Sequence, residues 1–200
     1  MSPGEWFPRH LSRKENRMEN VNVNGTIPVL VAPYGPEVAN CRANASGTGS
    51  AMRCRMYVAQ RNKPGYLMME VARQKTVGSR KDGVRVHPTF DWEGSICVKL
   101  GLADLAQMVM VFRGVQESAL DGKGMFHRSS KADTVIRFSH QIEPRPGYLL
   151  DISTKPSGGE LKKGYYFFSP EEAVWFSVAL EGVLPQLAFG VPREVPVIDS

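Results

Sequence analysis

The chain has 200 residues, of which 42% are hydrophobic and 22% charged, values close to the average for globular domains. No apolar run approaches the roughly 20 residues that a membrane-spanning helix requires, which excludes a spanning protein. Cys41, Cys54 and Cys97 cannot all pair and show no Cys-x-x-Cys spacing, which argues against a disulfide scaffold and a zinc ribbon. The net charge of +5 leaves a polyanionic partner open.

The two ends of the chain are predicted to lie outside the folded domain. Residues 1–25 are polar and indicate a disordered leader. Four basic side chains in this leader are typical of a targeting peptide, whereas three glutamates there argue against one. We therefore predict a single domain over residues 26–190 and a C-terminal tail over residues 191–200.

The first half of this domain is predicted to form strands followed by a helix. In residues 52–58 the alternation places Met52, Cys54, Met56 and Val58 on one face and Arg53, Arg55 and Tyr57 on the other. Because the first set is apolar, we expect it to face the core and the arginines to face solvent. We predict the other strands at 27–32, 66–72 and 95–100, loops at 40–50 and 77–88, and a helix over 102–112 that ends at Gly114.

The second half repeats this order. Strands are predicted at 125–128, 134–142, 148–154 and 164–168. The sequence Ser169-Pro-Glu-Glu172 then predicts a helix start, with serine as the N-cap, and the helix is expected to end near Gly190. This helix is apolar over most of its circumference, so we expect its outer face to contact another subunit. The predicted interface residues are Trp175, Val178, Val183 and Leu187.

Basic residues are concentrated in one stretch of the chain. Residues 53–85 hold nine basic side chains against Glu70 and Asp82, a net charge of +7. This pattern is typical of a surface that binds a phosphate backbone, and also of a solvated sheet face. Tyr57 and Tyr66 are candidates for stacking on bases and equally for ordinary sheet aromatics. The candidate nucleic-acid-binding residues are Arg53, Arg55, Arg61, Lys63, Arg73, Lys75, Arg80, Lys81, Lys99, Arg137, Lys155, Lys162 and Lys163.

The sequence carries no strong motif for catalysis or metal binding. Residues 47–50, Gly-Thr-Gly-Ser, lack the Gly-Lys-Ser/Thr ending of a phosphate-binding loop and precede a strand rather than a helix. The four histidines show no metal-ligand spacing, and no nucleophile–base–acid set is evident. We therefore expect a protein that is not an enzyme and that uses no metal or cofactor.

Three segments carry a resemblance to a known family. They are Phe90-Asp-Trp92 before a strand and a short helix, the strand at residues 65–71, and the last helix, with Ser-Pro-Glu-Glu at its start and Val-Leu-Pro near its end. Together they resemble the Whirly fold family, in particular the kinetoplastid mitochondrial guide-RNA-binding proteins, over residues 27–190. The strand at 27–32 lacks the Lys-Gly-Lys-Ala-Ala-Leu-like element of the plant branch, which favours the RNA-binding branch.

The resemblance implies an α+β protomer of two four-stranded antiparallel sheets, each followed by a helix, assembled as a tetramer with an identical or paralogous chain. It implies a mitochondrial matrix protein that binds guide RNA and pre-mRNA through the phosphate backbone and promotes their annealing in RNA editing. Two alternatives stay open. One is a protein of the same fold that binds single-stranded DNA in transcription or genome maintenance, and the other is a structural subunit of a mitochondrial ribonucleoprotein.

Overall fold

The computed structural model describes residues 37–59 and 63–190. Within these residues a sheet followed by a helix occurs twice, as the sequence predicts. The predicted leader, the predicted strand at 27–32 and the predicted tail lie outside the described residues. The fold class, α+β with antiparallel sheets, is confirmed.

The first sheet is built around one long strand, β3, which pairs with β2 along one edge and with β7 and the short β6 along the other. All of these pairings are antiparallel, and β1 extends the sheet beyond β2. A helix, α1, follows the sheet. The bounds are β1 (Val38–Arg42), β2 (Ser50–Tyr57), β3 (Tyr66–Thr76), β4 (Ser79–Lys81), β5 (Val84–Val86), β6 (Thr89–Phe90), β7 (Ile96–Leu100) and α1 (Leu102–Phe112).

Two predicted loops of the first half contain strands. The predicted loop at 40–50 overlaps β1, whose inward side chains Asn40 and Arg42 are polar and so give no apolar alternation. The predicted loop at 77–88 contains the separate two-stranded pair β4–β5, because Asp82 and Gly83 adopt the positive φ of a tight hairpin turn. Within the described residues the first sheet therefore has five strands instead of four, and β1 and β6 are not among the predicted ones.

The second sheet has four strands, as predicted, in the order β11-β10-β9-β8. Consecutive strands pair in antiparallel fashion, so β11 and β8 are the edge strands. Each predicted strand is present, and no strand end differs from its predicted position by more than two residues. The elements are a short 3-10 helix (Ala119–Gly122), β8 (Met125–Arg128), β9 (Ala132–Gln141), β10 (Gly147–Pro156), β11 (Lys162–Phe168) and α2 (Pro170–Phe189).

The core lies between the inward faces of the two sheets and the two helices. Met52 and Cys54 are buried there, as the alternation in β2 predicts, and Met56 packs at its margin. Val58, predicted on the same face, is instead exposed because it lies beyond the end of β2. Gly164 of β11 sits against Ile96 of the first sheet, where a Cβ would approach the isoleucine Cδ1 to 3.2 Å.

The start of α2 is held by one carboxylate. The Ser169 side chain accepts a hydrogen bond from the Glu172 backbone N–H, and the Glu172 carboxylate accepts one from the Ser169 backbone, a capping box. The same carboxylate accepts hydrogen bonds of 2.8 Å from Asn40 and Arg42 of β1. The predicted helix start is confirmed, and Glu172 also ties α2 to the outer strand of the first sheet.

The predicted interface residues of α2 differ in their exposure. Trp175 is 39% exposed and Val178 is 65% exposed, so both are available to a partner. Val183 is half-buried against the protomer core. Leu187 is fully buried in the protomer, so its predicted place at an interface is wrong: the last turn of α2 packs it into the core. Among the described residues, no helix is long and apolar enough to cross a membrane.

Candidate nucleic-acid interface

The outward face of the first sheet carries the arginines that the sequence places there, but carboxylates neutralise them. Arg53 lies directly opposite Glu70 across the β2–β3 pair, and its Nε donates to the Glu70 carboxylate at 2.5 Å. Its guanidinium also lies over the Trp92 ring, 4.5 Å from the centroid. Arg55 donates to the Glu37 carboxylate at 2.5 Å. The predicted orientation is confirmed, whereas both charges are already paired.

The Arg53–Glu70 pair shifts the pKa of both groups. Partial burial acts to lower the pKa of Arg53, but the hydrogen bond and charge of Glu70 outweigh it, so this pKa is raised. Burial acts to raise the pKa of Glu70, but hydrogen bonds from Arg53 and Ser95 outweigh it, so this pKa is lowered. Arg53 is thus a structural partner first, and a phosphate would have to compete with Glu70 for it.

The two predicted stacking tyrosines stack on each other. The Tyr57 and Tyr66 rings lie 4.7 Å apart, centroid to centroid, at an interplanar angle of 10°. The Lys99 ammonium lies 4.2 Å from the Tyr66 centroid, a cation–π contact. Because one tyrosine and one lysine already cover Tyr66, this cluster serves as a packed part of the sheet surface rather than as an open stacking platform.

A groove runs where the end of β3 in the first sheet meets β11, the edge strand of the second. Arg73 of β3 donates from Nε to the Lys163 backbone carbonyl at 3.1 Å, which joins the two sheets at this point. A depression of about 450 Å³ lies on one side of this contact and another of about 280 Å³ on the other. Arg73, Lys163 and Gly164 line both depressions, which are therefore adjacent and together are called the groove.

The groove is positively charged. Its basic lining residues are Arg73, Arg145, Lys162 and Lys163, against Asp91 and Asp151. Among the described residues, none of these four cations is in an ion pair. Four cations without a carboxylate partner among the described residues, in a concave site, are what a polyanionic backbone requires.

Aromatic rings form one wall of the groove. Tyr165 and Phe167 alternate with Lys163 along β11 and line the groove, where Tyr165 is exposed and Phe167 is buried. The Arg145 guanidinium lies over Phe167, 3.9 Å from the ring centroid, and Arg42 lies over the same ring at 5.6 Å. The Tyr165 hydroxyl donates to the Thr48 carbonyl, which fixes its ring at the groove while the residue stays 40% exposed.

The other candidate cations within the described residues do not line the groove. On the outward face of the second sheet, Arg137 lies opposite Asp151 and Lys155 lies opposite Asp133. Lys63, Lys75, Arg80 and Lys81 are exposed at strand ends and in the β4–β5 pair. Arg61 lies outside the described residues.

Sequence reasoning therefore identified part of the groove and missed part. It named Arg73, Lys162 and Lys163, which the fold brings together. It missed Arg145, in the turn between β9 and β10, and Tyr165 and Phe167, in β11. All three lie in the second half of the chain, outside the basic stretch at residues 53–85. The only sequence signal for these three is the proximity of arginine and aromatic residues to predicted strand ends. Within the described residues, no cluster of three or more acidic, histidine or cysteine side chains could hold a metal ion.

Comparisons with known proteins bear on the fold. No family model matches the sequence, and no curated protein matches it significantly. Several solved structures are similar, among them two crystal structures of plant proteins. WHY1 from Arabidopsis thaliana aligns with a TM-score of 0.58 and 17% identity, over 77% of this chain and 85% of that one. WHY3 from the same plant aligns with a TM-score of 0.56 and 17% identity, over 75% and 88%.

The chain has the Whirly fold. The Whirly resemblance stated from the sequence is thus confirmed at the level of the fold. Nothing in these comparisons supports the narrower likeness to the kinetoplastid guide-RNA-binding proteins, which stays a prediction. At 17% identity, the alignments carry the Whirly fold and not the role of any single residue.

Proposed function

We propose that this protein binds single-stranded nucleic acid through its phosphates, in the groove between β3 and β11. The observation that carries the proposal is the set of four cations in that groove, Arg73, Arg145, Lys162 and Lys163, which have no carboxylate partner among the described residues. On this proposal the protein is not an enzyme.

Contacts between these cations and the phosphates explain how the protein would hold a strand and promote annealing. Cations that contact the backbone hold a strand without reading its sequence. Tyr165, which is 40% exposed, adds sequence-tolerant stacking, at about 1–3 kcal/mol per base. A strand held in this way keeps its Watson–Crick edges free, and the bound cations reduce its repulsion from a complementary strand. Strand annealing therefore follows from the same surface.

The finer form of the proposal is that the ligand is RNA. We propose a tetrameric protein of the mitochondrial matrix that holds guide RNA and promotes its annealing to pre-mRNA during editing. This form rests on the sequence resemblance, and the groove supports only its phosphate-binding part. The same groove chemistry fits single-stranded DNA in transcription or genome maintenance equally well, because contacts to phosphates do not depend on a 2′-hydroxyl.

The test is binding to a matched set of labelled oligonucleotides, measured by fluorescence anisotropy. Single-stranded RNA, single-stranded DNA and duplex RNA of equal length and of two unrelated sequences are compared. With four phosphate contacts, log K should fall against log salt with a slope of about −2.8, since each contact on a single strand contributes about −0.7. Affinity then drops about 50-fold between about 50 mM and about 200 mM salt.

The outcomes separate the readings. Equal affinity for the two sequences together with a steep salt slope supports phosphate binding. A preference for RNA over DNA, with faster annealing of complementary RNA strands in a quenching assay, supports the guide-RNA form, whereas a preference for DNA supports the alternative. A salt-independent or strongly sequence-selective isotherm contradicts the proposal as a whole.

A further inference from the structure

The pair β4–β5, residues 79–86, forms a basic ribbon that extends from the end of β3. All six of its strand residues are exposed, so neither face packs on either sheet. Its turn is Asp82-Gly83, with φ of 51° and 81°, the conformation of the tightest hairpin turn. The ribbon is thus a hairpin built by local sequence and not by the core.

The ribbon places two arginines directly against each other. Arg80 and Arg85 are register partners, so their side chains lie on the same face. Like charges in this position destabilise a strand pair, and an isolated two-stranded hairpin is marginal even without them. An anion held between the two guanidiniums would remove this repulsion.

The charge of the ribbon is not balanced by the protein. Arg80, Lys81 and Arg85 stand against Asp82 alone within residues 79–86. None of these three cations is in an ion pair with any residue that the structure describes. This contrasts with Arg53 and Arg55 on the first sheet, which both have a carboxylate partner.

The ribbon follows a groove residue closely along the chain. Arg73 lines the groove, and β3 continues from it for three residues to Thr76, a distance of about 10 Å along a strand. Arg80 follows seven residues after Arg73, so it lies at most about 25 Å from it along the chain. A strand of nucleic acid that leaves the groove past Arg73 would therefore reach the ribbon within a few nucleotides.

We propose that the ribbon is a second phosphate-binding site, in which Arg80 and Arg85 hold the backbone of the same single strand after it leaves the groove. This inference rests on the proposed function and adds a site to it. Guanidinium groups suit the site because they bind phosphate oxygens in a bidentate manner. The ligand class is the phosphodiester backbone of a single strand longer than the groove.

The test compares Arg80→Gln/Arg85→Gln with Arg80→Lys/Arg85→Lys, which keeps both charges. Anisotropy is measured with oligonucleotides of about 6 and about 24 nucleotides, lengths that bracket the common site sizes of single-strand binders. The glutamine variant should bind the short strand like the wild type. For the long strand it should lose about 25-fold at about 0.1 M salt, with the salt slope reduced by about 1.4, because two phosphate contacts are removed. The lysine variant should keep most of the long-strand affinity.

The outcomes keep the two proposals distinct. If the wild type binds no single strand, the proposed function fails. If the wild type binds but the glutamine variant matches it at both lengths, the ribbon proposal alone is overturned, and the exposed Val84 and Val86 become a candidate protein contact. An equal loss at both lengths also overturns it, since the ribbon would then belong to the groove. The melting temperature of the glutamine variant should be unchanged or higher, because a repulsive pair is removed.

Discussion

Neutralising the two lysines of β11 tests the groove most directly. Lys162 and Lys163 are exposed, each lines the groove, and neither makes a side-chain hydrogen bond or ion pair among the described residues. Lys162→Gln/Lys163→Gln therefore removes two charges without removing a structural contact. Each lost phosphate contact changes the salt exponent by about 0.7, which at about 0.1 M salt is a factor of about 5.

Two such contacts amount to a loss of about 25-fold, or about 2 kcal/mol, and the salt slope should fall from about −2.8 to about −1.4. The matched control is Lys123→Gln/Lys131→Gln. These lysines flank β8, the edge strand on the opposite side of the second sheet, so the control has the same net charge as the test variant. Anisotropy titrations at four salt concentrations measure both slopes. An equal loss in the control would show that affinity follows net charge alone, and would refute the groove.

Three further predictions follow from contacts in the core, the first sheet and α2. Glu70→Gln should lower the free energy of unfolding by about 1 kcal/mol at pH 7. Because the folded pKa of Glu70 is lowered from 4.5, this loss should vanish as the pH falls through that lowered value, in urea titrations at several pH values. Phe138→Ala should cost about 3–5 kcal/mol in the same assay, since the ring is 1% exposed; a loss below about 1 kcal/mol would contradict this packing. Val178→Asp should shift the proposed tetramer toward smaller species in analytical ultracentrifugation while the protomer stays folded, because the residue is 65% exposed; an unchanged sedimentation profile would count against an α2 interface.

Elements that are specified by a few neighbouring residues could be predicted from the sequence. An element held by polar contacts with distant residues could not. The alternation in β2 and the capping box at Ser169 are both contained in a few residues, and both are confirmed. β1 was missed because its inward residues, Asn40 and Arg42, are selected to bind a carboxylate and not to enter an apolar core. The Asp82-Gly83 turn did carry a hairpin signal, and reading residues 77–88 as a loop overlooked it.

The candidate site divides in the same way. The sequence shows which residues are cationic. It does not show which of them are free to bind a phosphate, because that depends on whether a carboxylate lies opposite on the neighbouring strand. Arg53 faces Glu70 only once the register of β2 and β3 is fixed. The groove itself joins Arg73 to Lys163 and Arg145, residues about 70 to 90 positions apart, and no local pattern reports such a meeting.

Glu172 has a consequence for how the protomer comes apart. A chain built as two successive sheet-and-helix halves could in principle melt in two stages. Here one side chain closes the first turn of α2 and also receives Asn40 and Arg42 from the outermost strand of the other half. Loosening that strand would leave the carboxylate short of donors at the helix start, and fraying the helix would strip the strand of its acceptor. The two halves are therefore expected to lose their order together, in a single cooperative transition.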